Sequence, residues 1–236
     1  MFHANDTLGE VVAKFPNAAT VFQNSRLDFC CGGDRTLAAA VAESGELDLE
    51  DLLSVLNRAW SLQMAQNEPA EDWRDASLTA LVDHIFQQHH AYLHQNLPLI
   101  GELTTKILRV HGARHGDVLT PLHRQFHRFK MEMEEHLIEE EVQVFPKIKE
   151  FERSHSRDLL AEAIRRIDKL EGDHDQAGYL LKTMRETTKD YKLPDDACRT
   201  FVRTYQMLEE AEDNTFVHVH LENNILFPRL RHLATQ

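Results

Sequence analysis

Two segments of the chain repeat one chemical pattern, a histidine followed four positions later by a glutamate and then by Phe-Pro. Residues 136–146 read HLIEEEVQVFP, and residues 218–228 read HVHLENNILFP. Because residues i and i+4 lie on one face of a helix, each segment directs an imidazole and a carboxylate to the same side. Such groups bind metal ions or transfer protons. The shared Phe-Pro indicates an internal repeat rather than a chance pairing.

Each copy is preceded by a further histidine at a similar distance. His90 lies 46 residues before His136, and His174 lies 44 residues before His218. This spacing predicts a duplicated two-helix unit. Its four histidines, together with Glu140 and Glu222, are then expected to converge.

Six such side chains exceed the four ligands of a tetrahedral zinc site. Imidazoles and carboxylates inside a helical bundle instead favour a two-metal centre of iron, or else manganese, with the glutamates bridging. The alternative is that these residues are hydrogen-bonded structural groups or lie on solvated faces. Since buried carboxylates without a cation are costly, the constellation as a whole favours the metal site.

The composition predicts long helices rather than short strands joined by turns. Apolar residues make up 42% of the 236 residues, and only 9 Gly and 7 Pro interrupt them. Four long amphipathic stretches, at roughly 77–111, 120–151, 156–191 and 195–232, are separated by short polar connections. Short connections favour an antiparallel up-down-up-down bundle. Pro98 falls inside the first stretch and is expected to kink or end the helix.

The N-terminal part predicts several short helices. Thr7 or Asp6 can cap the helix LGEVVAKF, and Pro16 opens a second helix. Further helices are expected from Thr36 to Ser44 and from Leu49 to Gln63. The predicted organisation is a small helical domain over 1–66, a polar linker over 67–76 and the bundle over 77–236.

The charge balance argues against nucleic acid or an anionic membrane as a partner. The formal charge is −13, from 39 acidic and 26 basic residues, and no cluster of Lys and Arg occurs. Asp6 and Glu10 interrupt any signal-peptide core, and no run of about 18 apolar residues is found. Three cysteines are too few for a disulfide framework, which agrees with a reducing compartment. We therefore expect a soluble, cytoplasmic protein.

These motifs resemble those of the hemerythrin-like proteins, and more closely those of the di-iron "repair of iron centres" family. DFCCGG, residues 28–33, resembles part of the family's small N-terminal domain, whereas GDHDQAG and the two Phe-Pro segments resemble its hemerythrin-like part. The resemblance covers nearly the whole chain. It implies an all-α protein, with an antiparallel hemerythrin-like four-helix bundle preceded by a small helical domain.

The resemblance also implies a metal centre of two iron ions joined by an oxo or hydroxo bridge. In oxygen-carrying hemerythrins a further histidine lies one turn after the ligand of the third helix, to which His174 corresponds in this chain. This chain has Gly178 there, so an open coordination position is expected. The implied ligands are four terminal histidines and two bridging glutamates, namely His90, His136, His174, His218, Glu140 and Glu222.

Neighbouring polar residues are candidates for supporting roles. His94, one turn after the first ligand, could replace or supplement it, and this choice is left open. Asp173, just before the third-helix ligand, would line access to the irons. Glu132, one turn before the second-helix histidine, could support that ligand. His220 faces another side of its helix and is expected to pack or to be exposed.

The adjacent thiols of Cys30 and Cys31 are candidates for chemistry of their own. A disulfide between adjacent cysteines is strained, and the two glycines that follow let the backbone approach a partner closely. We assign these cysteines a catalytic role in metal transfer or electron exchange with a client. The alternative is a tight turn in which they are small core residues. Cys198, at the start of the last helix, is expected to be a packing residue.

The function that the resemblance implies is a response to stress, the repair of iron–sulfur proteins damaged by nitric oxide or oxidants. Iron donation or nitric oxide handling would accomplish it, with nitric oxide or oxygen species as small ligands. The alternatives are a module that binds or senses these gases, a nitric oxide reductase, and a helical interaction or iron-storage protein. Whether the protein is an enzyme is left open, as is its oligomeric state, for which a homodimer is one option.

Overall fold

Helices make up nearly all of the part of the chain that the structure describes. The computed structural model describes residues 1–65 and 72–236 and contains no β-strand within them, so the predicted all-α class is confirmed. The predicted linker, 67–76, lies partly outside the described residues. In chain order the helices are α1 (Leu8–Lys14), α2 (Ala18–Asn24), α3 (Leu37–Ser44), α4 (Leu49–Ala65), α5 (Leu78–His84), α6 (Ala91–Glu139), α7 (Phe145–Ser154), α8 (Arg157–Thr187), α9 (Arg199–Leu221) and α10 (Phe227–Ala234).

Three π-helical turns connect some of these helices without a break. They are π1 (Ile85–His90), π2 (Glu140–Val144) and π3 (Glu222–Leu226).

The chain divides into two compact units, which we call the terminal unit (Met1–Leu81 with Phe216–Gln236) and the bundle unit (Val82–Thr215). The predicted domain boundaries at residues 66 and 77 stay predictions.

Helices α1 and α3 of the terminal unit begin where the sequence predicts. The Thr7 hydroxyl accepts the Glu10 N–H, while the Glu10 carboxylate accepts the Thr7 N–H, which completes a capping box. Thr36 caps α3 through the N–H of Ala39. Hydrogen bonds of this kind satisfy backbone donors that have no partner inside the helix. The second helix, α2, begins at Ala18, two residues after the start predicted at Pro16.

Aromatic rings form the core of the terminal unit. Phe2 stacks on Phe15 with ring centroids 6.1 Å apart, and Trp60 packs edge-on against both. Phe22 and Phe29 lie 6.2 Å apart and are almost completely buried. Aromatic pairs of this geometry contribute beyond their buried area. Phe29, which directly precedes Cys30 and Cys31, is therefore part of this packed core.

In the bundle unit, α6 folds back on itself at His115. This residue has φ −123° and ψ 24°, which are not helical values. Side chains on either side of it then meet, as Thr105 Oγ1 lies 2.9 Å from His123 Nε2. Farther from His115 on both sides along the chain, His94 Nε2 lies 2.7 Å from Glu141 Oε1. The chain before and after His115 therefore forms two antiparallel helices.

The third helix, α8, runs antiparallel to the second half of α6. Arg166 donates to Glu139 at 2.8 Å, and Gln125 and Thr187 exchange hydrogen bonds at 3.2 Å near the opposite ends of the pair. The first part of α9 supplies the fourth helix of the unit. The predicted four-helix bundle is confirmed.

Two predicted interruptions of the helices differ from the structure. Of the two outcomes predicted at Pro98, a kink or an end, the end does not occur, since the backbone stays helical there and Leu97 and Ile100 are fully buried beside it. Packing of this kind compensates for the hydrogen bond that a proline removes. The connection expected at residues 111–117 is helical except at His115. Within the described residues, no helix has the length and apolar character that crossing a bilayer requires.

The turn after α8 is held by a buried polar network. Lys189, Asp190 and Tyr191 have φ values of 53°, 60° and 52°, a left-handed conformation that costs L-residues energy. The Tyr191 hydroxyl donates to Glu212 Oε2 at 2.9 Å. Arg185 Nε donates to Glu212 Oε1 at 2.9 Å, and its guanidinium carbon lies 5.0 Å from the Tyr191 ring centroid. These contacts join α8 to α9 and offset the cost of the turn.

Replacing Tyr191 with Phe should lower the free energy of unfolding by about 1–3 kcal/mol, because a buried Glu212 oxygen loses its donor. Thermal and urea unfolding followed by circular dichroism measure the change. Tyr179→Phe removes the hydroxyl of a tyrosine that is 62% exposed and serves as the matched control. Equal losses of stability in the two variants would contradict the role of the network.

Candidate metal centre

The three π turns coincide with predicted ligands. π1 ends at His90, π2 begins at Glu140 and π3 begins at Glu222. The N–H groups of Phe145 and Phe227 donate to the carbonyl of the glutamate five residues earlier. The proline that follows each phenylalanine has no N–H, so it needs no acceptor where the regular pairing is already interrupted. The repeated Phe-Pro therefore marks a widened turn, and the helix continues beyond it in both copies.

In the bundle unit, three histidines lie around Glu140. Glu140 Oε2 lies 3.3 Å from His90 Nε2 and 3.2 Å from His136 Nε2. His174 Nε2 lies 3.0 Å from His136 Nε2. All four side chains are at most 2% exposed. Because they come from three helical segments, tertiary packing rather than local sequence brings them together.

In the terminal unit, His218 and Glu222 form the equivalent pair, with Nε2 and Oε2 3.4 Å apart and both side chains fully buried. The bundle unit thus brings together four of the six predicted ligands, with His90 and His136 beside Glu140 and His174 beside His136. The terminal unit supplies the other two. The group of residues whose donor atoms could hold a metal ion consists of His136, Glu140, His174, His218 and Glu222.

The donor set suits a metal cation. Two carboxylates removed from water are costly in an apolar interior unless positive charge neutralises them. Both Glu140 and Glu222 are 0% exposed. The imidazole and carboxylate donors together outnumber the ligands of a tetrahedral zinc site and match the preferences of iron. The group is therefore a metal-binding site that iron fits best.

Glu141 is a supporting residue that the sequence does not single out. Its Oε1 atom lies 2.9 Å from His90 Nδ1 and 2.7 Å from His94 Nε2. Burial acts to raise the pKa of Glu141, but the hydrogen bonds with the two imidazoles outweigh burial and lower it. Because Nδ1 of His90 is engaged, its Nε2 is the nitrogen that faces Glu140. The Phe145 ring packs against His90 with centroids 5.2 Å apart, whereas His94 is 42% exposed.

Of the two acidic residues predicted to support the site, only Asp173 lies beside a ligand. Its Oδ2 atom is 3.6 Å from His136 Nδ1 and 3.3 Å from Lys169 Nζ. The hydrogen bond with His136 lowers the pKa of Asp173, although burial acts to raise it. The positive charge of Lys169 lowers it further. The carboxylate of Glu132 instead accepts a hydrogen bond from Arg128 at 2.8 Å. The role of Asp173 in access to the metal stays a prediction.

Comparison with known proteins agrees with this site. The ScdA_N domain, described as a domain of unknown function, matches residues 4–60, and the hemerythrin HHE cation binding domain matches residues 81–230. The iron-sulfur cluster repair protein ScdA of Staphylococcus epidermidis is 31% identical over 98% of this chain and 100% of its own length. The chain belongs to the iron–sulfur cluster repair family. The resemblance predicted from the motifs is therefore confirmed.

Other members of the repair family match over similar lengths. The iron-sulfur cluster repair protein YtfE of Citrobacter koseri is 34% identical over 97% of this chain and 98% of its own length. YtfE of Escherichia coli O157:H7 has the same identity and the same coverage. The similarity to these relatives therefore extends over nearly the whole chain.

The cysteine pair of this repair-family chain lies in a turn folded around Asp28. The Asp28 Oδ1 atom accepts the N–H of Cys31 at 3.0 Å and that of Gly32 at 3.3 Å, and it lies 3.3 Å from the Cys30 sulfur. The two sulfurs are 3.6 Å apart without a disulfide. The contact with Cys31, followed by burial, raises the pKa of Cys30. Asp28, Cys30 and Cys31 form a second group with metal-ligand spacing, although the catalytic role of the cysteines stays a prediction.

Asn224 ties the cysteine turn to π3. Its Nδ2 group donates to the carbonyl of Phe29 at 3.3 Å and to that of Cys30 at 3.0 Å. A Cβ atom on Gly33 would lie 2.1 Å from Asn224 Oδ1, so the close approach requires glycine there. Glu222 lies two residues before Asn224 in the same π turn. The turn that carries the cysteines is therefore anchored to the turn that carries a predicted ligand.

His220 and Cys198 differ in burial. Of the two outcomes predicted for His220, packing and exposure, the structure shows packing, since the residue is buried and its ring lies against Phe29 with centroids 5.8 Å apart. Burial lowers the pKa of His220 to about 4. The prediction that Cys198 packs in the core is wrong, since the residue is exposed and its sulfur lies 3.3 Å from His111 Nε2. Cys198 precedes the first residue of α9, outside the packed part of the helix.

Iron added to the metal-free protein should raise its unfolding temperature, and Glu140→Gln should lose most of this rise, because an amide does not neutralise the cation. Without metal, the variant should be at least as stable as the unmodified protein, because it buries one charge fewer. Differential scanning calorimetry with and without ferrous iron measures both effects. Glu135→Gln, at an exposed position of the same helix, is the control. An undiminished effect of iron on Glu140→Gln would contradict a metal role for Glu140.

Asn224→Ala should accelerate alkylation of the buried Cys30 thiol, because the turn loses two hydrogen bonds. Mass spectrometry of the tryptic peptide 27–35 measures the rate. Asn24→Ala, at an exposed end of α2, should leave the rate unchanged.

Gly33→Ala should lower the free energy of unfolding by about 1–3 kcal/mol, and by less when Asn224 is already alanine. Urea unfolding of the two single variants and the double variant measures these changes. Strictly additive costs would show that Asn224 is not the obstacle.

Proposed function

We propose that this chain repairs iron–sulfur clusters damaged by nitric oxide or by oxidants, and that it acts on damaged iron–sulfur proteins in the cytoplasm. The observation that carries the proposal is the buried group of imidazoles and carboxylates. The relatives that match nearly the whole chain are iron–sulfur cluster repair proteins by name, which supports the same activity here. The proposed metal ligands are His90, His136, His174, His218, Glu140 and Glu222.

A pair of iron ions is the cofactor that we propose, joined by an oxo or hydroxo bridge. Four imidazoles and two carboxylates are more donors than one ion needs, and this donor set is typical of two-metal sites in helical bundles. Glu140 Oε2 faces the imidazoles of both His90 and His136, which supports a bridging role for this carboxylate. The sequence repeat suggests the same role for Glu222.

The bound irons would supply redox change, coordination of nitric oxide or oxygen species, and iron for a damaged cluster. The residues of the chain prepare the site for this chemistry. Glu141 holds His90 through Nδ1 and so orients Nε2 inward. Full burial of the ligands keeps bulk water away from them. Gly178, one turn after His174, adds no side chain that could fill a coordination position.

We assign contact with the client to Cys31. Its side chain is partly exposed, whereas Cys30 is 3% exposed and its pKa is raised by the contact with Cys31 and by burial. Cys30 therefore stays a protonated thiol at neutral pH, and Cys31 is the sulfur that an acceptor protein can reach. Anchoring by Asn224 holds this sulfur in a defined position.

Glu140→Leu and Glu222→Leu should each lower bound iron from about two per chain to one or fewer, because the variants lose a carboxylate donor. Both variants should then fail to restore a nitric-oxide-treated iron–sulfur enzyme. Iron analysis, the spectrum of an oxo-bridged ferric pair and the recovered enzyme activity are the measurements. Glu135→Leu, at the exposed position before His136, is the matched control. Normal recovery with an iron-free variant would refute the proposal.

Further experiments distinguish the proposed repair mechanism from its alternatives. Cys31→Ser should keep the iron and lose recovery of the client, whereas unchanged recovery would remove Cys31 from the mechanism. Gas analysis during repeated additions of nitric oxide distinguishes catalytic reduction to nitrous oxide from stoichiometric trapping. Reversible oxygen uptake without any iron loss or client recovery would favour a binding module instead.

A further inference from the structure

A second thiol site lies in the bundle unit, where the fold of α6 at His115 meets the start of α9. Cys198 Sγ lies 3.3 Å from His111 Nε2. One helical turn farther, His115 Nε2 lies 2.7 Å from Asp196 Oδ1, and Arg114 donates to Asp196 Oδ2 at 3.0 Å. These residues form a cluster of nucleophilic, basic and acidic groups remote in sequence from the proposed metal ligands.

The imidazole of His111 is held in place to act on the thiol. Its ring packs edge-on against Phe201, with centroids 5.3 Å apart and planes at 75°. Phe201 is itself 1% exposed and belongs to the core. A sulfur nucleophile within hydrogen-bond reach of an oriented imidazole is the arrangement that activates cysteines. The pair therefore has the geometry of a reactive thiol rather than that of a packing residue.

The backbone of α9 adds to this activation. Cys198 immediately precedes the first helical residue, where N–H groups lack partners within the helix and the helix dipole favours negative charge. The hydrogen bond with His111, followed by those with the backbone of Phe201 and Thr200, lowers the pKa of Cys198 to about 7. Much of the thiol is therefore ionised at neutral pH, and the residue is exposed to solvent.

An open cavity adjoins this cluster. Its volume is about 620 Å³, within the range of roughly 300–1,000 Å³ that small-molecule sites occupy. The lining shares His115, Asp196 and Phe201 with the cluster. Lys189 and Lys192 add ammonium groups to it. Asp195 adds a second carboxylate to the lining, and Cys198, which does not line the cavity itself, follows Asp196 by two residues. A ligand that carries both carboxylate and ammonium groups would therefore find complementary charges in a cavity lined by the segment just before the thiol.

The lysine side of the cavity belongs to a well-defined turn. Lys189 lies in the left-handed segment that ends at Tyr191, and Tyr191 is anchored by its hydrogen bond to Glu212. The hydrogen bond of Tyr191 and its contact with Arg185 stabilise this conformation. Lys189 therefore belongs to a turn that is anchored to α9.

We propose that Cys198 and His111 form a thiol–disulfide exchange site for low-molecular-weight disulfides derived from amino acids or short peptides. The Cys198 thiolate attacks one sulfur of the disulfide, whose S–S bond breaks as a new S–S bond forms to Cys198. The departing half leaves as a thiolate and takes the proton that His111 received from Cys198. One disulfide and one thiol thus give one mixed disulfide and one thiol, without any further oxidant. This site goes beyond the proposed repair function and does not depend on it.

The test exposes the full-length protein to oxidised glutathione at pH 7 and follows mixed disulfides by mass spectrometry. Trypsin releases Cys198 in the peptide 193–199 and the cysteine pair in the peptide 27–35, so the sites are resolved. Cys198 should react faster than Cys30 and Cys31, and dithiothreitol should reverse the adduct. Reaction of the cysteine pair ahead of Cys198 would overturn the proposal.

His111→Phe keeps a ring against Phe201 and removes the imidazole. This variant should slow the reaction of Cys198 about fivefold or more, because the thiolate loses its partner. His123→Phe, at another histidine of α6, is the matched control and should react at the rate of the unmodified protein. Circular dichroism and thermal unfolding establish that both variants fold. An unchanged rate in folded His111→Phe would overturn the proposal.

A comparison of two disulfides tests the choice of ligand. Lys189→Gln with Lys192→Gln should slow the reaction with oxidised glutathione and leave that with bis(2-hydroxyethyl) disulfide unchanged, because only the former carries carboxylates. Slowing restricted to oxidised glutathione supports the assignment of the cavity. Equal effects on the two reagents, or none, would overturn that assignment.

Discussion

Burial of two carboxylates is the constraint on which the rest of the structure depends. Glu140 and Glu222 are fully removed from water, and each lies one helical turn after a buried histidine. An apolar interior tolerates such groups only with compensating charge and hydrogen bonds. The helices that carry the two carboxylates also supply the imidazoles beside them, with His136 one turn before Glu140 and His218 one turn before Glu222. The compensation for each buried carboxylate therefore begins within its own helix.

The widened turns show how the chain meets this requirement locally. A regular helix would continue its hydrogen-bond pattern through each glutamate, but here the bond runs from Phe145 to Glu140 and from Phe227 to Glu222, five residues apart. Proline follows at the point where its missing N–H does least harm. In the first copy the phenylalanine also packs against His90. One short motif thus supplies a ligand, widens the turn and supports a neighbouring ligand.

The sequence predicts the parts of the site that repeat and misses those that depend on packing. The spacing of His136 to Glu140 and of His218 to Glu222 is visible as a pattern, and so are the helix caps of the terminal unit. Glu141 is the last of three consecutive glutamates, and nothing in its local sequence reveals that it contacts His90, which lies 51 residues earlier in the chain. Asn224 is equally hidden, because its partners lie 195 and 194 residues away.

Errors of prediction have the same origin. Pro98 is a helix breaker by local propensity, but buried neighbours keep the backbone helical around it. The segment around His115 looks like a loop from its glycines, yet only one residue departs from helical angles. Local rules identify where the chain can bend, whereas tertiary contacts decide how many residues the bend requires.

The thiols of the chain occupy opposite electrostatic environments, which argues for separate roles. Cys30 is buried, and its contact with Cys31 together with burial raises its pKa, so it stays protonated. Cys198 is exposed, and the hydrogen bond with His111 lowers its pKa to about 7. A dissolved electrophile therefore meets a thiolate at Cys198 before it meets one at Cys30. Cys30 is also held by Asn224 in a turn anchored to π3, the π turn that carries Glu222, whereas Cys198 lies just before α9.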